Sequence, residues 1–286
     1  MLKRPNILLI TCHDLGKHLG CYGIPNLNTP ALDNLAEKGL LFRNSFATSP
    51  GCSPSRAAIS TGKYPHNTGV LGLSHAHFGW DLNKNETHIS KYFSDNGYLT
   101  VLFGLQHITY EDNSLGFNKI FPERSADDVV NNIKIYLSQQ KYTHPLFLEI
   151  NFFELHRPFD FGGVISDKSK GVFIPYFIPE NSESKNEFAN FQGAIQKVDN
   201  SISAIITVLK DSGLYDDTVI LFTTDHGIPF PKAKGTLYDP GIETCLIINY
   251  PKIESKKNIF NELISNIDIL PTLLEFAKIE IPKIIQ

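Results

Sequence analysis

CSPSRAAISTGKYPHNTG, residues 52–69, is the stretch on which the reading of this chain turns. Ser53-Pro54 has the signature of a helix start, with Ser suited to the N-cap and Pro to the first helical position. Cys52 is therefore expected at a helix N-terminus, where free backbone N–H groups and the helix dipole favour an anion. Arg56, one turn further in, adds a guanidinium suited to a tetrahedral oxyanion. A buried structural cysteine beside a capped helix is the plain alternative for an isolated Cys. The full Cys-x-Pro-x-Arg pattern followed by Thr61-Gly62 is much more specific than that.

Outward from this stretch, short apolar runs alternate with helical patterns, which predicts an α/β sheet flanked by helices. Ile7 to Thr11 reads as a first strand, and Thr29-Pro30 opens a helix that stops at Gly39. A strand is expected near Leu40 to Ala47, a helix ending at Gly97, and a strand in YLTVLFG. Pro145 to Phe153 and Thr218 to Thr224 have the composition of buried strands. Phe188, Phe191, Ile195, Val198, Ile202, Ile205 and Leu209 recur by threes and fours, the stripe of an amphipathic helix that stops at Gly213. TCLIINY and a helix from about Asn266 to Lys278 complete the pattern. Residues 157–185 form a long irregular stretch rich in Pro, Gly and Phe, of the kind that serves as a lid or binding loop.

Polar residues follow four of these strands: His13-Asp14, His107, His156-Arg157 and Asp225-His226. In open α/β sheets the ligand site lies beyond the carboxyl ends of the strands, so four such ends are expected to meet in one cleft. Any one of the four could merely cap a helix or solvate a loop; the set of four favours a site.

Composition bounds the rest. At about 150 residues per domain, 286 residues make one large domain or two small ones, with ample core and no need of disulfides. Lys and Arg number 26 against 30 Asp and Glu, a balance that argues against nucleic-acid binding through a broad basic surface. Four cysteines without paired spacing make no disulfide framework. No stretch approaches the roughly 18 apolar residues of a membrane span. Lys3-Arg4 before Ile7–Ile10 is too short and too interrupted for a signal segment. As written, the chain is expected to be cytoplasmic, or periplasmic or secreted where a signal has been removed.

With these residues in hand, the sequence resembles the type I, formylglycine-dependent sulfatases of the alkaline phosphatase superfamily. Cys52-x-Pro-x-Arg56 matches the signature whose cysteine is oxidised to formylglycine, and Gly97-Tyr98-Leu99-Thr100 through Gly104 to His107 matches the second signature. Residues 5–23 and 29–56 also look like the family's N-terminal half. DHGIPFPKAKGTLYDPG (residues 225–241) and IPYFIP (residues 174–179) most resemble the heparan N-sulfatases, or sulfamidases, and their bacterial relatives. The resemblance runs from about Arg4 to Pro271.

It implies an alkaline phosphatase-like α/β sandwich with a large, mostly parallel central sheet, and a catalytic domain over residues 1–286. It implies hydrolysis of a sulfate ester or sulfamate on a sulfated sugar, N-sulfoglucosamine-like, or on an aryl sulfate. Cys52 would be the formylglycine nucleophile, Arg56 would hold its hydrate, His107 would assist deprotonation, His156 would protonate the leaving group and Lys234 would contact the sulfate. One divalent metal ion, calcium first, with manganese, magnesium or zinc after it, would be held by Asp14 and Asp225 with His13, His226 and Cys52. A formylglycine-generating enzyme would be needed for maturation. Sulfatases usually continue past DILPTLLEFA into a smaller C-terminal subdomain; this chain stops at Gln286, which is read as a catalytic core, truncated or naturally minimal.

Three departures qualify the match. His13-Asp14 stands where the family has two adjacent acids, and Asp225-His226 where it has Asp-Asn. Imidazole donors suit zinc, manganese or iron better than calcium, and Asp-His also resembles the superfamily's phosphonate and phosphate diester hydrolases. Leu105 stands where a sulfate-contacting lysine is usual; Lys63, His75 and His77 are the candidate replacements, with Trp80 available for sugar stacking. A catalytically degenerate sulfated-sugar binder is the reading from another class. Cys12, Cys21 and Cys245 read as structural, Cys12 facing away from His13 along the strand.

Overall fold

A computed structural model describes residues 4–286 apart from residues 75, 76, 78, 140, 141 and 256. Its strands are β1 (Asn6–Cys12), β2 (Leu40–Phe46), β3 (Leu99–Gly104), β4 (Lys119–Phe121), β5 (Leu146–Phe152), β6 (Thr218–Thr224), β7 (Glu243–Asn249) and β8 (Ile259–Ser265). They form one sheet in the order β4-β3-β5-β1-β6-β7-β2-β8, parallel throughout except for β7. The helices are α1 (Pro30–Lys38), α2 (Cys52–Thr61), α3 (Pro65–Thr68), α4 (Ile89–Asp95), α5 (Ala126–Ser138), α6 (Ser182–Asp211), α7 (Asp239–Ile242) and α8 (Ile269–Phe276). This is the expected mostly parallel α/β sheet covered on both faces. No helix among the described residues is long and apolar enough to cross a membrane.

Alternation along the central strands sorts side chains to two cores. Leu8, Ile10 and Cys12 of β1, with Leu148 and Ile150 of β5 and Phe222 of β6, face α1, α5 and α6. Ile7, Leu9, Phe147, Val219 and Leu221 face Ile59 of α2, Phe93 of α4 and Leu270 and Leu273 of α8. Each fully buried side chain of this size contributes roughly 1.5–3 kcal/mol, so the two cores dominate the fold. Cys12 lies in the first core, turned away from the site as its alternation with His13 requires. The edge strands β4 and β8 and helix α5 were not anticipated. β8 is mostly solvated, and β4 has only three residues, so neither carries a buried pattern.

Helix starts differ from expectation where tertiary contacts supply the cap. Thr29 precedes α1, but its hydroxyl accepts from Gly20 N and donates to Asp33. The first N–H groups of α1 are instead taken by Asp199 of α6, which accepts from Ala31 N at 3.1 Å and Leu32 N at 2.8 Å. The long irregular stretch ends earlier than expected, because Asn181 and Ser184 form a reciprocal capping box that starts α6 at Ser182.

Gly193 interrupts the interior of α6, where alanine would be favoured by about 1 kcal/mol on helix propensity alone. A Cβ there would stand 2.0 Å from the carbonyl oxygen of Ile165 in the long loop. Close approach of loop to helix therefore outweighs propensity. Gly193→Ala is expected to lower unfolding stability by about 1–2 kcal/mol net, as overpacked core positions do. Urea denaturation checks this; a gain in stability would show that the loop yields freely.

Candidate active site

β3, β5, β1 and β6 are adjacent and parallel, so their carboxyl ends open on one edge. Cys12 pairs with Phe152 on one side and Thr224 on the other, which sets His13 and Asp225 side by side just past the sheet. The four polar clusters at the ends of these strands thus lie along one edge, as expected.

Helix α2 points its start at this edge, and all ten of its residues are buried. The cap is Gly51 rather than Ser53: Ser55 N bonds to Gly51 O, and Cys52 is the first helical residue. Ser53 is unavailable as a cap because its hydroxyl accepts from Ser74 N. The shift of two residues leaves Cys52 where the anion-favouring N–H groups are, so the chemical expectation stands.

Asp225 organises the centre. Its Oδ1 accepts from Asp14 N and His226 N, each at 2.9 Å, and its Oδ2 accepts from Arg56 Nε at 3.0 Å. His13 Nδ1 lies 3.1 Å from the same Oδ2. Asp14, in the left-handed region at φ 53°, receives Lys234 Nζ on both carboxylate oxygens at 2.9 Å and His226 Nε2 at 3.0 Å. Cys52 Sγ is 3.2 Å from His226 Nε2, 3.4 Å from Lys234 Nζ and 3.9 Å from Asp14 Oδ1.

The charges follow from these contacts. Burial would raise the carboxyls of Asp14 and Asp225, but His226 foremost, then Lys234 beside Asp14 and Arg56 beside Asp225, hold both well below the usual range. Burial would lower the His226 imidazole, yet the two carboxylates keep it protonated. Burial and Asp225 push the Cys52 thiol up; the imidazoles of His13 and His226 outweigh them and bring it down to about 7. A thiol in such surroundings carries thiolate character, unlike Cys12 and Cys245, which burial keeps protonated.

His107, at φ 65°, and His156 complete the rim. Both imidazole rings lie 5.5 Å from that of His13, and His156 stacks on Phe153. His156 is half-buried, and burial lowers its basicity against the pull of Asp14.

The donor set fits a divalent ion. Ligand atoms of His13, Asp14, Cys52 and Asp225 lie within 4.8 Å of one another, as do those of His13, Cys52 and His107. His13 Nε2 is buried without a hydrogen bond, a polar atom that a metal would satisfy. His226 donates Nδ1–H to Gly227 O at 3.0 Å, which leaves Nε2 as its ligating nitrogen when neutral.

Other expected participants lie elsewhere. Lys63 pairs with Glu86 at 2.7 Å and so does not replace the cation missing at Leu105. His77 is exposed, Trp80 lies against Gly72, and His75 falls outside the described residues. Two participants were missed, Asn151 and Glu149 on β5: Arg56 Nη1 donates to Asn151 Oδ1 at 3.0 Å, and Asn151 Nδ2 donates to Glu149 Oε1 at 3.0 Å. Two polar residues two apart in an otherwise apolar strand were the only signal.

The family model described as Sulfatase matches residues 5–279. The chain belongs to the sulfatase family. Human N-sulphoglucosamine sulphohydrolase is 29% identical over 97% of the chain, which spans 61% of that relative's length. Among solved structures, one in complex with its substrate D-glucosamine-2-N,6-O-disulfate superposes with TM-score 0.79 at 18% identity, over 99% of this chain and 78% of that one. The phosphonate monoester hydrolase of Agrobacterium radiobacter gives 0.78 at 22%, over 97% and 74%. Both likenesses establish the alkaline phosphatase-like sulfatase fold.

Removing the Asp225 carboxylate would leave Arg56 Nε and the backbone N–H groups of Asp14 and His226 buried without their acceptor. Asp225→Ala is therefore expected to cost about 3–5 kcal/mol in metal-free protein, the range for breaking a buried ion pair from one side. Denaturant unfolding followed by circular dichroism checks it; a loss under about 1 kcal/mol, the range of an exposed pair, would show that Asp225 is not the centre's anchor.

Proposed function

We propose that this chain carries the catalytic part of a hydrolase that releases sulfate from a sulfated sugar, an amino sugar with N- or O-sulfate in the first place. The observation that supports it is Cys52 at the first position of a buried helix that also carries Arg56, with His226, Lys234 and Asp14 gathered around the thiol. The name of the human relative and the substrate in the solved relative make sulfated glucosamine the substrate class to try first.

Oxidation of Cys52 by a separate maturation enzyme and its oxidant replaces the thiol by an aldehyde, and water adds to give a geminal diol. One hydroxyl oxygen of the diol attacks the sulfate sulfur. Its proton passes to the Asp14–Asp225 pair, whose oxygens lie within 4.8 Å of Cys52 Sγ. As the new O–S bond forms, the bond from sulfur to the leaving oxygen or nitrogen breaks, and His156 protonates the atom that departs with the electron pair. His107 assists removal of the second hydroxyl proton; the C=O bond reforms, the C–O bond to sulfate breaks, and the aldehyde is restored. Arg56 and Lys234 steady the diol and the sulfate oxygens as charge develops. A divalent ion held by Asp14, Asp225 and His13, with His226 and Cys52, would polarise the sulfate and acidify the hydroxyl. Calcium is the first expectation; the nitrogen donors favour manganese or zinc as the alternative.

The second reading, a phosphonate or phosphate diester hydrolase, is favoured by one observation: His226 stands beside Asp225 with Nε2 3.0 Å from Asp14 Oδ1. Parallel assays with aryl sulfate, N-sulfoglucosamine and aryl phosphonate separate the two, and a phosphonate rate higher by orders of magnitude would overturn the sulfatase reading.

In protein from its native host, the Cys52 peptide should be lighter by the exchange of sulfur and two hydrogens for one oxygen. Cys52→Ala should lower sulfate release roughly 10⁴-fold or more. An unmodified thiol in active protein would overturn the nucleophile, and elemental analysis with no stoichiometric divalent ion would overturn the metal.

A further inference from the structure

β5 is buried along its whole length between β1 and β3, yet two of its seven side chains are polar. Glu149 is 5% exposed and Asn151 2%, and both fall on the face that carries Phe147 and packs against α2. A carboxyl in such a place is costly, because burying a charge or an unpaired polar oxygen opposes folding. Burial holds the Glu149 carboxyl up to about 7, against the opposing pull of Asn151 and Arg56. Its Oε2 has no hydrogen-bond partner. Leucine would fit this position better on stability grounds alone.

The hydrogen bonds show what the acid does. Asn151 has a donor end and an acceptor end, and the two are interchanged by a flip of the amide. Glu149 Oε1 accepts from Asn151 Nδ2 at 3.0 Å, which turns Asn151 Oδ1 toward α2. Arg56 Nη1 donates to that Oδ1 at 3.0 Å, while Arg56 Nε donates to Asp225 Oδ2 at 3.0 Å. Without an acceptor at residue 149, the amide is free to present Nδ2–H to the guanidinium, donor against donor. With the acceptor there, two of the three guanidinium nitrogens are held and the plane is fixed. The third, Nη2, is buried with no hydrogen-bond partner, the state of a donor reserved for an anion.

We infer that Glu149 is a positioning residue that acts through Asn151 to orient the Arg56 guanidinium for the reacting anion. The inference rests on the proposed function for the role of Arg56, but the hydrogen-bond chain itself does not depend on turnover. Arg56 lies on α2, Asn151 and Glu149 on β5, and Asp225 just beyond β6, so the chain ties three separate elements to one orientation.

The test uses Glu149→Leu, Glu149→Gln, Asn151→Ala and the double variant Glu149→Leu/Asn151→Ala in the full chain. Glu149→Leu removes an unsatisfied buried oxygen, so its melting temperature should hold or rise while kcat on N-sulfoglucosamine or an aryl sulfate falls about tenfold. That is less than the 10²–10³-fold loss on deleting an electrostatic donor outright. KM should move less than kcat, because the loosened group acts on developing charge. Glu149→Gln keeps an acceptor and should retain at least about half of kcat. In the Asn151→Ala background, Glu149→Leu should add less than about a twofold further loss, since its effect passes through Asn151. Additive losses, or Glu149→Gln as damaging as Glu149→Leu, would overturn the inference. Wild-type protein that releases no sulfate would refute the proposed function alone. The Arg56 side-chain resonances then decide the inference: slow N–H exchange in wild type and Glu149→Gln, faster in Glu149→Leu, supports it, and equal exchange in all variants overturns it.

Discussion

The Asp225 carboxylate is the constraint on which the rest of the centre depends. It is fully buried and gathers two backbone N–H groups, one guanidinium and one imidazole from residues that begin 212 positions away in the chain. A buried carboxylate is tolerable only when such donors surround it. The same donors fix the backbone of Asp14 in a left-handed turn and hold α2 so that Cys52 faces the strand ends. Fold and chemistry meet at this one side chain. The sheet brings β1 and β6 together, and Asp225 ties the loop after β1 to the loop after β6.

Much of this was legible in the sequence. Strands fully buried on both faces read as continuous apolar runs, so β1, β5 and β6 stood out, and the rule that ligands gather beyond carboxyl ends placed His13, Asp14 and Asp225 together. The stripe from Phe188 to Leu209 exposed α6 for the same reason. The illegible part depends on contacts between distant residues. Asp199 caps α1 from 167 positions away, so the side chain of Thr29, the obvious local cap, is used otherwise. Ser53 yields its capping role to Gly51 because its hydroxyl meets a loop 21 positions on. α5 was missed although Ser125 accepts from Asp128 N and Ala126, Val129, Ile133 and Leu137 recur by threes and fours; that signal was local and available. Glu149 and Asn151 read only as part of a strand, since a period of two says which face a residue takes but not which groups it meets there.

The net charge of −4 conceals a strongly organised field. Inside the cluster, Arg56, Lys234 and His226 face Asp14 and Asp225, so opposite charges are paired at close range in a protein that is slightly acidic overall. Low polarity around the cluster strengthens each of these interactions relative to water. A mobile cation on the surface would be screened and would cost side-chain entropy on binding; Arg56 has already been ordered by the fold. For binding of an anion the difference matters, since binding then draws on charge whose orientation cost was met during folding. The buried acid at residue 149 belongs to the same logic. It lowers the stability of β5 in order to hold an amide in one of two orientations, and that amide sets the plane of the guanidinium. Strand β5 thus gives up apolar packing at two positions, 149 and 151, and in exchange the Arg56 guanidinium has a single direction in which to point.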